Sequence, residues 1–260
     1  MVTIEGSGVV VTGAGSGIGR ALARRLAAGG ARVVVNDIDA AAAEVAAAEI
    51  GERAFPVAGD VGTELGVHDL ITAARWHLGE IDIYCSNAGT GTGTGPETPE
   101  AGWQQAWEVN LIAHVRASRE LLPAWLERGH GTFVVTASAA GLLTMLGSAP
   151  YSVTKHGAVA YAEWLAATYS HRGLSVHCLC PQGVRTKMLA DSGRAGEIVL
   201  SGGAIEPEQV ADALWDGMAE GRFLILPHPE VHEYYTLRAG DPDKWLRGMN
   251  RLQRKIEEDA

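Results

Sequence analysis

The feature that most constrains this chain is an alternation repeated along its length: a short apolar run, then a stretch with apolar residues three and four apart. The runs are Val9–Val11, Val33–Val35, Ala54–Val57, Ile81–Cys85, Thr132–Thr136, Val176–Cys180 and Phe223–Leu226. Most are too short for helices and rich in β-branched residues, so they read as strands buried on both faces. Between them, Ile18, Leu22 and Leu26 make one helical face, and Leu111, Val115 and Leu122 make another, more loosely. Strands that alternate with helices build a parallel sheet, and right-handed crossovers place helices on both of its faces. The expectation is an α/β fold, a doubly wound seven-stranded parallel sheet.

No Pro/Ser-rich linker divides the 260 residues, so the chain reads as one domain over 1–260 with a C-terminal extension at about 228–260. The formal charge is −10, and no basic stripe offers a phosphate-binding surface, which argues against a nucleic-acid partner. No apolar run approaches a membrane span. The N-terminus goes straight into a strand, so no leader peptide is expected. Cys85, Cys178 and Cys180 are an odd number of thiols in strand-like segments, which points to a reducing, cytoplasmic setting.

Thr12-Gly13-Ala14-Gly15-Ser16-Gly17-Ile18-Gly19 joins the first strand to the first helix. Glycines there admit a pyrophosphate close to the backbone, and the helix N-terminus adds N–H groups and a positive dipole. The spacing is not the common G-x-G-x-x-G, and a tight strand-to-helix turn is the bland alternative. The second strand ends at Asn36-Asp37, followed by Ile38 and Asp39. A carboxylate at Asp37 suits ribose hydroxyls and repels a 2′-phosphate, which favours NAD over NADP; Asp39 is the better helix cap. Asp60-Val61 follows the third strand, where an adenine ring would reach, and Asn87-Ala88-Gly89 follows the fourth. All these positions fall on the ligand-binding edge of a parallel sheet.

Ser138 closes the fifth strand, and Tyr151 and Lys155 stand four apart at the start of the next helix. On a helix they share a face. A free tyrosine has a pKa of about 10; a nearby ammonium, and the positive charge of an oxidised nicotinamide, would favour tyrosinate and suit it to take an alcohol proton as hydride leaves.

Together these motifs resemble the short-chain dehydrogenase/reductase family, in its shorter single-domain type on the Rossmann fold, over residues from about 5 to 227. The resemblance rests on T-G-x-x-x-G-x-G at Thr12 to Gly19, Asp60, N-A-G at Asn87 to Gly89, Asn110, Ser138 and Y-x-x-x-K at Tyr151 to Lys155. It implies Tyr151 as general acid/base and Lys155 as the group that binds the nicotinamide ribose and lowers the Tyr151 pKa. It implies Ser138 as the residue orienting the substrate oxygen, Asn110 as holder of a relay water, and Pro181, Val184 and Thr186 as nicotinamide contacts. Three departures stand out: Ser86 replaces an Asn, Pro181-Gln182-Gly183 replaces Pro-Gly, and a charged tail follows Pro227.

Ala139, Ala140, Leu142, Leu143, Met145 and Leu146 lie between Ser138 and Tyr151. They predict an apolar pocket for a hydrophobic or alicyclic secondary alcohol or ketone. Leu189–Ile205 is expected to form a mobile lid. Trp245, Met249, Leu252 and Ile256 fall on one face of a tail helix. Relatives imply a homodimer or homotetramer, and Trp103, Trp107, Trp125 and Trp164 suit an interface or a core. A non-catalytic NAD-binding sensor on the same fold is the rival reading; it has no use for Tyr151 paired with Lys155.

Overall fold

The computed structural model describes residues 3–91, 93–192 and 203–258. All seven expected strands form, as β1 Gly8–Thr12, β2 Arg32–Asp37, β3 Ala54–Ala58, β4 Ile83–Ser86, β5 Gly131–Thr136, β6 Leu174–Leu179 and β7 Leu224–Ile225. Every pairing is parallel, and the order is β3-β2-β1-β4-β5-β6-β7. The order reverses between β1 and β4, which opens a crevice at their C-terminal ends. This is the doubly wound Rossmann architecture that the alternation predicts. The strands of the sheet's centre are buried throughout, which explains their unbroken apolar runs.

Two apolar clusters sandwich the sheet. On one face, Val9, Val11, Val33 and Val35 pack with Leu22 and Leu26 of α1 (Gly17–Ala28) and with Val210 and Leu214 of the helix Pro207–Ala219. On the other, Val10, Val34 and Phe133 pack with α3 (Glu64–Leu78), α5 (Ala113–Arg128) and α7 (Ala149–Tyr169).

The face expected from Leu111, Val115 and Leu122 is displaced. The buried side of α5 carries Ala113, Ala117, Leu121 and Trp125, with His114 and Ser118. A π-helical turn, Glu108–Ile112, precedes it and joins it to α4 (Glu100–Trp107). Leu111 is itself buried and begins that side, which continues at spacings of three and four through His114, Ser118, Leu121 and Trp125; His114 and Ser118 are polar, so an apolar period settles on half-buried Val115 and Leu122 instead.

Of the tryptophans, Trp125 is core, whereas Trp107 and Trp164 are exposed. The tail forms two helices, Glu230–Gly240 and Pro242–Glu258, and the second has no fully buried residue. Trp245 of the expected stripe packs on the first, its ring 6.4 Å from that of Tyr234. Arg238 ties the first to the body by donating to the Leu142 carbonyl and, at 3.2 Å, to His156. The expected lid at 189–205 falls mostly on 193–202, outside the described residues.

Trp125 donates its indole N–H to the Ile81 carbonyl at 2.7 Å and covers Gly131, where a Cβ would stand 2.3 Å from the ring. Trp125→Ala is expected to lower stability by roughly 3–5 kcal/mol, read as a shift in the urea midpoint. A shift under about 1 kcal/mol would show that the site collapses around the void.

Candidate active site

A cavity of about 930 Å³ runs along the C-terminal edge of the sheet. Every residue assigned from the sequence to catalysis or cofactor contact lines it except Asn110.

At one end lies the glycine turn. Gly13 and Gly17 have positive φ, 62° and 51°, which an L side chain resists. A Cβ at Gly13 would stand 2.9 Å from the Ala88 Cα, and one at Gly19 would stand 2.1 Å from the Gly13 carbonyl oxygen. The N-cap of α1, Ser16, makes no side-chain cap, and the first turn carries no acid. The first backbone N–H groups of α1 are therefore open to an anion beside Ser16, Gly17 and Ile18.

The turn is latched to β4. The Thr12 hydroxyl accepts from the backbone N–H of Asn87 (2.9 Å) and of Ala88 (3.0 Å), and the Asn87 amide donates to the Thr12 carbonyl at 2.9 Å. Asp37 braces it from β2, accepting from Gly15 N–H at 2.9 Å and from Asp39 N–H at 3.1 Å. Asp39 caps α2 (Ala40–Ile50) through the N–H groups of Ala41 and Ala42, which leaves Asp37 and the exposed Ile38 facing the cavity. Asp60 folds into an Asx turn on Gly62 N–H, with Val61 buried beside it.

At the other end, Tyr151 and Lys155 occupy the first turns of α7, with the Lys155 Nζ 5.6 Å from the tyrosine ring centre. Lys155 is buried and donates to the Thr136 carbonyl at 2.9 Å. Burial pushes its pKa down to about 8, against the raising influence of Cys180 and Cys178. The tyrosine differs from expectation. Its hydroxyl is pushed up, because burial outweighs the lowering effect of Ser138. The ammonium is turned toward Thr136, so it does not offset that desolvation. Ser138 accepts from Ala140 N–H at 3.0 Å and lies against the Pro181 carbonyl.

Asn110 stands behind the wall, in the π-helical turn and fully buried. Its side chain accepts from Thr90 N–H (2.8 Å) and donates to the Thr90 carbonyl (2.9 Å) and the Thr154 hydroxyl (3.2 Å). A Cβ at Gly89 would lie 3.4 Å from both the Asn110 Oδ1 and the Lys155 Nζ, so that glycine keeps the space between them clear. The side chain of Asn110 is committed to the Thr90 loop.

The departures also resolve. Ser86 bonds the imidazole of buried His114 at 2.6 Å, and the histidine pKa falls to about 3 through burial and the Lys155 charge. Ser86 and His114 thus form a buried pair, and His114 stands four residues beyond Asn110, a spacing that sequence reading passed over. Of the six residues predicted for the pocket wall, Ala139, Ala140, Leu143, Met145 and Leu146 line the cavity. Leu142 instead points into the core. Met188, Leu189 and Gln182 extend that wall.

The cleft therefore pairs an anion-binding, glycine-lined end with an end built for proton transfer, the arrangement of an oxidoreductase on a dinucleotide-binding fold. A family model described as short chain dehydrogenase matches residues 7–196. The chain belongs to that family and is an oxidoreductase acting on CH–OH groups. It is 36% identical over 247 residues to a 1-deoxy-11-beta-hydroxypentalenate dehydrogenase of Streptomyces exfoliatus, covering 91% of this chain and 87% of that protein. It is 27% identical over 256 residues to estradiol 17-beta-dehydrogenase 11 of Macaca fascicularis, covering 96% and 84%. A short chain dehydrogenase/reductase from Burkholderia phymatum, solved in complex with NAD, superposes with a TM-score of 0.87 at 28% identity, covering 94% of this chain and 96% of that one.

The Lys155 charge has a stability signature. Its folded pKa of about 8 lies below the unfolded value of about 10.4. Between these the unfolded chain binds more protons, so this group's contribution to stability rises with pH. Against Lys155→Met, the wild type should gain on the order of 3 kcal/mol from pH 8 to pH 10.5 in urea titrations. A flat difference would mean a solvated ammonium.

Proposed function

We propose that the protein interconverts an apolar or alicyclic secondary alcohol and its ketone with NAD(H), Tyr151 serving as general acid/base. The observation that carries this reading is the pairing of Tyr151, Lys155 and Ser138 at the far end of the cavity that begins at the glycine turn. The uncapped α1 terminus, the glycine contacts and Asp37 suit a dinucleotide, and the apolar wall from Ala139 to Leu146 suits a hydrophobic substrate. The relatives named for hydroxypentalenate and estradiol dehydrogenation are consistent with that choice.

When bound, the nicotinamide ring accepts or delivers the hydride and, oxidised, carries a positive charge. Ser138 holds the substrate oxygen. Tyr151 takes the hydroxyl proton on oxidation and returns it on reduction. Lys155 binds the ribose beside it and keeps a cation near the tyrosinate. Asn110 fixes Thr90 and so the loop over that end, and holds the relay water through its backbone. The Asp37 carboxylate favours ribose hydroxyls and opposes a 2′-phosphate, which makes NAD the better cofactor. Pro181, Val184 and Thr186 meet the nicotinamide. Outside the site, we infer a single catalytic unit over 1–260 in a homodimer or homotetramer, with exposed Trp107 and Trp164 at its contacts. Buried free thiols suit a cytoplasmic setting.

The test is a panel of cyclic, aromatic and aliphatic alcohols and ketones with NAD(H) and NADP(H), followed by nicotinamide absorbance. Turnover with NAD should fall roughly 100-fold or more in Tyr151→Phe while NADH still binds. Equal inertness of both proteins across the panel, with NADH bound, would support the sensor reading. Asp37→Ala should lose NAD preference, with its KM for NAD raised; an unchanged cofactor ratio would remove Asp37 from the ribose.

A further inference from the structure

His228 lies outside every motif of the cofactor site, between β7 and the helix Glu230–Gly240, and it is buried to 2% exposure. Pro227 and Pro229 flank it, and its own carbonyl accepts from the N–H of fully buried Val231 at 3.1 Å. Its backbone is therefore fixed on both sides. Its ring reaches across to the turn after β6. There the Gln182 N–H donates to His228 Nδ1 at 3.1 Å, and His228 Nε2 meets the Gly183 carbonyl at 3.0 Å.

Both partners are backbone groups of fixed polarity, so the tautomer follows. Nδ1 must offer its lone pair and Nε2 its hydrogen, which only the neutral ring does. The two bonds are not equivalent. The Gly183 carbonyl also accepts from Ile205 N–H at 3.0 Å, whereas Gln182 N–H has His228 alone among the described residues. Pro181 is held separately, its carbonyl accepting from Ala139 N–H at 2.8 Å. The ring thus fixes the middle of the turn.

Gln182 is the residue at which this turn departs from the Pro-Gly pattern of the resemblance, and it lines the cavity. Its side-chain oxygen is buried and has no partner among the described residues, so none of them anchors the turn through that oxygen. What anchors it is the histidine.

We propose that His228 is a positioning residue: it holds the Pro181–Gly183 turn against the nicotinamide end of the cavity, and touches neither cofactor nor substrate. This rests on the reading that Pro181, Val184 and Thr186 meet the nicotinamide. Misplacement of a reacting group by about 1 Å costs on the order of 100-fold in rate. The adenosine and pyrophosphate end, carried by the glycine turn, does not depend on this histidine. The consequence is a split: loss of His228 lowers turnover and leaves dinucleotide affinity nearly intact.

The experiment compares His228→Asn, His228→Gln and His228→Leu with wild type. Each is measured for NADH Kd by fluorescence titration and for kcat per NADH-binding site, which corrects for any unfolded fraction. Asn places an acceptor where Nδ1 stood and restores the partner of Gln182 N–H. Gln reaches only the Gly183 carbonyl, which already has Ile205. The expected order of kcat is wild type, then Asn within about threefold, then Gln, then Leu at least about tenfold down, with NADH Kd changed by less than about threefold throughout. Unchanged kcat per site in Leu, or a Gln variant equal to or better than Asn, overturns the proposal. If Leu does not fold, the Asn–Gln order decides alone. Nitrogen-15 histidine spectra of the wild type give a further readout, since a cationic ring or an Nδ1–H tautomer at His228 also overturns it. Failure of the wild type to bind NADH, or full turnover by Tyr151→Phe, would instead overturn the cofactor-site reading beneath it.

Discussion

The seam between β1 and β4 is where the rest of the structure is decided. Crossovers leave this point in opposite directions, so no connection covers the two strand ends, and the crevice between them must be held open by side chains. The Thr12 hydroxyl and the Asn87 amide do this, stitching the glycine turn to the chain leaving β4 with three hydrogen bonds. With that stitch in place, the N-terminus of α1 faces the crevice, Asp37 braces the turn from the next strand, and Gly89 is left beside the Lys155 ammonium. A parallel sheet alone would supply the edge; the stitch gives the edge its shape.

At the opposite end the organising term is desolvation. Lys155 and His114 are buried within the same neighbourhood, and both lose proton affinity there. Tyr151 is held in its protonated form by the same burial. The proposed acid–base group is therefore uncharged near neutrality, and a positively charged ligand would be the natural counterweight. Only the lysine carries charge near neutrality, and its hydrogen bond to the Thr136 carbonyl partly replaces lost hydration.

Much of this was legible in the sequence because it depends on local rules. Valine runs mark doubly buried strands, and residues just past them must gather on one edge. Positions such as Asp37, Asn87 and Ser138 could therefore be placed together without coordinates. What stayed hidden depends on rotation and on long-range closure. The buried side of α5 runs through His114 and Ser118, polar residues that an apolar period passes over. Leu142 looks like its pocket-lining neighbours, yet the short helix Ala140–Leu143 turns it inward. The clamp of His228 on Gln182 joins residues 46 apart, a pairing that no period or motif encodes. The sign of the Tyr151 shift was missed for a related reason: a neighbouring cation is visible in a motif, whereas the depth of burial is not.

The tie from Arg238 bears on how such an enzyme diverges. Its guanidinium holds the Leu142 carbonyl, in the segment whose neighbours line the cavity, and also His156, next to Lys155. The helix that carries it packs on the short helix Ala140–Leu143 and on the last helix, Pro242–Glu258. Sequence drift in the tail beyond His228 can thus reach the wall from Ala139 to Leu146 through this one tie.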